Sequence, residues 1–280
     1  MKITEYVFKL IARYKNHHVS SLASQLAFDI LFSSFPFIML MMALIGFIKV
    51  DPIEVISVLH NIMPEQVYEL VSNLALQLLQ ARNGNLLSFS LIFSLYAASR
   101  AFRAIRYGLN RAYDEEEDKN MIKVIILSIV FMIIITFMII FVLTFIVFGE
   151  MIGQALVEWL GLDIGILKFL KWLRYPIGLG GMIIVFSSIY RLVPSRKIKW
   201  REAVPGAIFT SIVWIIFSVG FAFYVNNFGR YTDLYGSIGV IIVLLIWLNI
   251  TSTTILLGGE LNALIAYDKE YKNRHYVKKK

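Results

Sequence analysis

YGSIGVIIVLLIWLNITSTTILLGGELNALIAY, residues 235–267, runs from Tyr235 to Gly259 without a charged side chain before it meets Glu260. The hydrocarbon core of a bilayer is roughly 30 Å thick and an α-helix rises about 1.5 Å per residue, so about 20 apolar residues suffice to cross it. Working outward, five more stretches have that character: Leu22–Ile48, Leu86–Tyr107, Met121–Phe148, Trp172–Leu192 and Ala203–Val225. The composition agrees. The 280 residues are 58% hydrophobic and 16% charged, against about 45–50% and about 25% in an ordinary soluble domain. The chain therefore reads as an all-α membrane protein with six transmembrane helices. Absence of cysteine excludes disulfides, thiolate metal sites and cysteine nucleophiles together.

Orientation follows from the basic residues, which are retained on the cytoplasmic side. Of the 27 Lys and Arg, 21 fall in the N-terminal arm, the second and fourth connections and the C-terminal tail, and 6 in the other three connections. Both N and C termini are thus expected in the cytoplasm. Residues 1–20 have no continuous apolar core of a cleavable signal. Instead Ile3, Tyr6, Val7, Leu10, Ile11 and Tyr14 recur at helical spacing, with Lys2, Lys9, Arg13 and Lys15 on the other faces. That pattern predicts a cytoplasmic interfacial N-terminal helix, either bound to anionic headgroups or packed under the bundle. Between spans 1 and 2, residues 51–85 carry helix starts at Asp51-Pro52 and Pro64 and an apolar face of Val67, Leu70, Val71, Leu74 and Leu78. They predict an extracytoplasmic helical cap, as packing or as a lid. The expected organisation is an amphipathic helix at 1–20, a transmembrane domain at 21–267 that includes the cap, and a basic cytoplasmic tail at 268–280.

Charges inside spans are the candidate functional residues. Each costs roughly 2.5–3.5 kcal/mol to insert and so calls for a partner or a watery cavity. Measured from the ends of their apolar stretches, Asp29 and Glu260 lie at similar depth, and Arg100 and Arg103 approach it from the second span. The expectation is one polar cluster in which Arg100 or Arg103 pairs with Glu260 and Asp29, with Ser33, Ser34, Ser99 and Asn262 adding hydrogen bonds. It serves either as a structural ion-pair lock or as a binding cavity. Arg106, nearer the boundary, is expected to snorkel toward phosphates. Pro36, Gly258 and Gly259 are candidate kink or hinge positions, with close helix packing as the alternative for the glycines.

No phosphate-binding loop, dinucleotide fingerprint or zinc-binding histidine motif is present, and the acidic run from Asp114 to Asp118 reads as a solvated face. No catalytic residue, metal or cofactor is expected. The basic charge lacks an aromatic base-stacking platform, and topology with anionic lipids explains it without nucleic acid.

The motifs Ser99-Arg100-Ala101-Phe102-Arg103 with Asn110 and Tyr113, Val193-Pro194, Pro205-Gly206-Ala207, Tyr235-Gly236-Ser237-Ile238-Gly239 and Gly258-Gly259-Glu260-Leu261-Asn262-Ala263 resemble the YihY/virulence factor BrkB family. The resemblance covers about residues 5 to 267. It implies a six-span, multi-pass protein of the bacterial cytoplasmic (inner) membrane, and it brings a former ribonuclease BN label that these residues do not support. The leading expectation is a transporter or exporter of a small or amphiphilic solute, lipids included, through a cytoplasm-facing polar cavity. The alternative is a non-transporting scaffold or lipid-organising protein. A third class, an intramembrane enzyme, would rest on Asp29 and Glu260 alone. Membrane lipids with anionic headgroups, a second copy of the chain, or a protein at the outer face are the expected partners.

Overall fold

The computed structural model describes residues 3–48, 84–116, 165–228 and 237–277, together with 68, 72, 122, 124–131 and 133. Among them every regular element is helical. The named helices are α1 (Ile3–Asn16), α2 (Val19–Ile48), α3 (Gly84–Ala112), α4 (Gly165–Leu192), α5 (Trp200–Phe228) and α6 (Ser237–Val277). The cap expected at 51–85 lies almost entirely outside the described residues. So does most of the third span, of which 124–131 is helical.

Local chemistry sets several boundaries. Two helices stop at a residue in the left-handed region, His18 after α1 and Asp114 after α3, each with φ of 53°. Asp tolerates that conformation better than most residues. At the start of α5, the Glu202 carboxylate reaches back to the Lys199 N–H at 3.2 Å, the return half of a capping box. In α2 the helix continues through Pro36, whose missing N–H leaves the ladder one bond short. Ser34 Oγ donates to Leu31 O at 2.7 Å, and Ser94 Oγ of α3 donates to Pro36 O at 2.5 Å.

Helix α6 is central: it packs on α5, α2, α3 and α1, while α2 also packs on α3 and α4 on α5. Small residues allow this. A side chain added at Gly206 would overlap Gly258 O and Asn262, and one at Gly258 would overlap Thr210 and Tyr190. Gly258 and Gly259 therefore sit at a close helix crossing. Tyr190 Oη, fully buried, donates to Ile255 O at 2.8 Å and lies 2.6 Å from Thr210 Oγ1, tying α4, α5 and α6 together.

The burial pattern is inverted relative to a soluble protein. On α5, Thr210 and Ser211 are buried, whereas Ile212, Ile216, Val219 and Phe223 form an exposed stripe at i, i+4, i+7 and i+11. Large apolar side chains facing outward suit lipid as the solvent. Two described helices are long and apolar enough to cross a bilayer, Trp200–Val225 and Ile238–Glu270, with mean hydropathies of 2.2 and 2.4.

Two expectations change in extent. Helix α6 runs on to Val277, so most of the residues assigned to a tail continue the sixth helix. The N-terminal helix does form, and it splits its apolar residues. Tyr6, Leu10 and Tyr14 are partly covered, while Val7, Phe8 and Ile11 remain exposed beside Lys15.

Candidate functional site

The charges expected to cluster form two groups and not one. Glu260 of α6 is 2% exposed, and its carboxylate is taken up by the N-terminal helix and the turn after it. Arg13 Nε donates to Oε2 at 2.7 Å, and His17 Nδ1 lies 2.6 Å from Oε1. Arg13 also bonds Ala112 O at the end of α3, and His17 Nε2 is 3.9 Å from Asp114 Oδ1. The α1 segment thus links the Glu260 carboxylate of α6 to the end of α3 through Arg13 and His17. Around it, Tyr6 Oη donates to Asp268 at 3.0 Å and Tyr267 Oη donates to Tyr113 O at 2.6 Å. Arg196, paired with Glu270, lies 5.7 Å from the centroids of both the Tyr113 and Tyr267 rings. Burial pushes the Tyr113 phenol well above its usual range while Arg196 pulls it the other way, so it stays protonated, its hydroxyl without a hydrogen-bond partner among the described residues.

The second group is built on α2 and α3. Arg100 Nη2 of α3 is 2.9 Å from Asp29 Oδ1 of α2, a charge pair whose N–H is not aligned on the oxygen. The acid is buried and the guanidinium is not: their side chains are 5% and 37% exposed. Arg100 also sits 5.5 Å from the centroid of Phe32, which stacks on Phe28 and meets Phe93 edge-on.

The expected Arg100–Glu260 pair does not form because the helices are in a different register. Gly259 of α6 packs against Leu109 of α3, nine residues past Arg100, which is about 14 Å of helix. On the other side, Leu248 packs with Ala27 and Leu31, so the α6 residue level with Asp29 precedes Glu260 by twelve. Depth counted from the ends of apolar stretches failed because α3 and α6 both extend past those ends.

The remaining candidates are placed as follows. Arg103 Nε donates to Ser99 O at 3.2 Å and has no carboxylate partner among the described residues. Ser99 Oγ meets Ser128 Oγ at 2.9 Å, joining α3 to the helix at 124–131. Ser33 Oγ bonds Ile30 O within its own helix. Asn262 is structural in its contacts: Oδ1 accepts from Gly206 N at 2.7 Å and Nδ2 donates to Ala203 O at 3.0 Å, clamping α6 to the first turns of α5. Arg106 does not snorkel into the open. It is 3% exposed, and its Nη2 donates to Ser195 Oγ at 3.0 Å.

Arg13 and His17 were the residues missed. A signal existed: with Tyr6, Leu10 and Tyr14 they share one helical face, and a cation on an apolar face points to a buried acid. Among the described residues no group of three His, Asp or Glu could hold a metal ion.

Comparison with known proteins bears on this site. The profile of the family described as Virulence factor BrkB matches residues 10–280. "Putative ribonuclease-like protein YfkH" of Bacillus subtilis is 38% identical over 260 residues, 93% of this chain and 94% of that one. Two proteins named UPF0761 membrane protein, from Pseudoalteromonas translucida and Tolumonas auensis, are 35% and 32% identical over 97 and 96 residues. Those matches span 35% and 34% of this chain and 31% and 30% of theirs. No solved structure matches.

Proposed function

The chain belongs to the virulence factor BrkB family of membrane proteins, and from that premise we propose that it transports or exports a small or amphiphilic solute, lipids included. In this reading it crosses the bacterial cytoplasmic membrane six times with both termini inside. Helix α1 then lies at the inner interface, with Tyr6, Leu10, Arg13 and His17 toward the protein and Val7, Phe8 and Ile11 toward lipid.

One observation carries the proposal: the unequal exposure of the Asp29–Arg100 pair. A structural pair within a span gains from burying both charges behind other helices. Here the acid is buried and the Arg100 side chain stays 37% exposed beside the Phe32 ring, which in turn packs on Phe28 and Phe93. A cation held in place and flanked by aromatic surface suits a solute with a charged head and an apolar body. The cytoplasm-facing cavity expected beside Glu260 moves, in this proposal, to the surface between α2 and α3. The Glu260 lock then closes the cytoplasmic end.

That same lock favours the second reading, a scaffold or lipid-organising protein, because a carboxylate engaged on both oxygens by Arg13 and His17, with Arg13 also holding the end of α3, is a structural device. The ribonuclease-like name of the Bacillus relative is not carried over: Glu260 is engaged by Arg13 and His17 and is not free to act as a general base.

Purified protein in liposomes, assayed for movement of fluorescent lipids and a solute panel, separates the readings. Transport predicts movement above protein-free vesicles. Arg100→Gln should lose most of it, about tenfold, the equivalent of one charged contact, while remaining folded. Movement equal to protein-free vesicles across the panel would leave the scaffold.

A further inference from the structure

Arg106 is the most buried guanidinium among the described residues, yet it has no acid. Among the described residues no carboxylate lies within ion-pair distance, and two of its nitrogens, Nε and Nη1, have no hydrogen-bond partner. Its one hydrogen bond runs from Nη2 to Ser195 Oγ at 3.0 Å. An uncompensated buried cation is costly, and so are unpaired buried donors.

The surroundings supply more donors. Asn110, one turn along α3 on the same face, fixes the loop between α4 and α5. Its Oδ1 accepts from Ser195 N at 2.8 Å and its Nδ2 donates to Ser195 Oγ at 3.0 Å. Ser195 Oγ therefore accepts twice, and its own proton has no acceptor among the described residues. Ser195 is exposed whereas Arg106, to which it bonds, is buried, so the serine is the solvent-facing member of the pair. At the two ends of the same loop, Leu192 and Trp200 are exposed, with Arg191 4.5 Å from the Trp200 ring centroid.

We propose that Arg106 and Ser195, held by Asn110, form a binding site for a phosphate oxyanion at the loop between α4 and α5. The donors without an acceptor, Arg106 Nε and Nη1 and the Ser195 hydroxyl, are of the kind that the oxygens of a phosphate group accept from. The exposed Leu192 and Trp200 provide the apolar flank that an acyl chain would use, as in basic pockets that hold lipid headgroups. The ligand is therefore a phosphate group, either of a phospholipid or free in solution. The site shares no residue with the Asp29–Arg100 pair or with the contacts of Glu260, and it stands whether or not the protein transports anything.

The test uses delipidated full-length protein in detergent. Its thermal unfolding midpoint is measured against inorganic phosphate, phosphatidylglycerol, diacylglycerol of the same chains, and chloride. A rise with phosphatidylglycerol alone assigns the lipid headgroup, and a rise with inorganic phosphate assigns the free anion. In either case Arg106→Lys and Ser195→Ala should weaken the apparent affinity about tenfold or more, the loss expected for a hydrogen bond to a charged group. If Arg106→Lys fails to fold, Ser195→Ala at the exposed loop decides alone. The proposal is overturned if neither phosphate compound shifts the wild type beyond diacylglycerol and chloride, or if the folded variants respond as the wild type does.

Discussion

Two acid–base contacts of similar composition lie about 14 Å apart along α3 and differ in what surrounds them. Glu260 is held by Arg13 and His17, and Arg13 in turn holds the last carbonyl of α3. Asp29 has Arg100, and that partner is more than one-third exposed. The difference separates a joint from an opening. When a carboxylate is shared by α1 and α6 beside the end of α3, removing it releases three segments at once. When a buried acid is met by one half-exposed cation, the cation is available to something else. The presence of an ion pair inside a span therefore says little by itself about role; the number of elements it joins and the exposure of each partner say more.

The largest expected effect tests the joint. Glu260→Ala leaves Arg13 and His17 facing a gap and should destabilise the protein by about 3–5 kcal/mol, the range for breaking a buried pair. Thermal unfolding in detergent measures it. A cost no greater than that of Arg100→Gln would erase the distinction between the two regions.

Charge swaps sharpen the comparison at intermediate size. Arg100→Glu combined with Glu260→Arg should not recover expression or stability, because the two positions are in different registers. Asp29→Arg with Arg100→Asp should recover part of the single-variant loss. The coupling read from the Asp29→Asn and Arg100→Gln cycle should be about 1 kcal/mol, at the low end for contacting charges because Arg100 is partly solvated. Recovery by the first swap and not the second would mean that α3 and α6 slide relative to the packing described.

The smallest effect belongs to the edge of the joint. Tyr6→Phe removes the hydrogen bond to Asp268 and should cost about 0.5–1.5 kcal/mol. Limited proteolysis should show α1 released more readily than in the wild type while the rest of the chain stays protected. An unchanged cleavage pattern would mean that Arg13 and His17 hold α1 without help from its first turns.

Much of the fold was legible because helical length and periodicity are local. The apolar stretch from Leu22 extends as α2, that from Leu86 as α3, and that from Tyr235 as α6, each growing by several residues at an end. Growth occurs where amphipathic turns continue a helix after its hydropathy has fallen, as at Arg103 to Ala112. The site was half legible. Asp29 and Arg100 could be matched because each is an isolated opposite charge at comparable depth in neighbouring spans. Glu260 was matched to the wrong cation, since Arg13 looked like one more interfacial base on a helix drawn outside the bundle. Arg106 was misplaced for a related reason: nothing local tells that the loop at Ser195 folds over it.

Sequence alone determined that this chain builds long apolar helices and that each charge within them needs a partner, because both facts depend on side-chain transfer energies counted along the chain. Only the tertiary structure decided which charges meet. Pairing depends on how far α6 slides past α3 and α5, and that register is set by contacts between distant residues: Gly258 against Gly206, Asn262 across the first turns of α5, and Tyr190 on Thr210 and Ile255. A shift of two or three turns would leave every helix intact and change every ion pair that α6 makes.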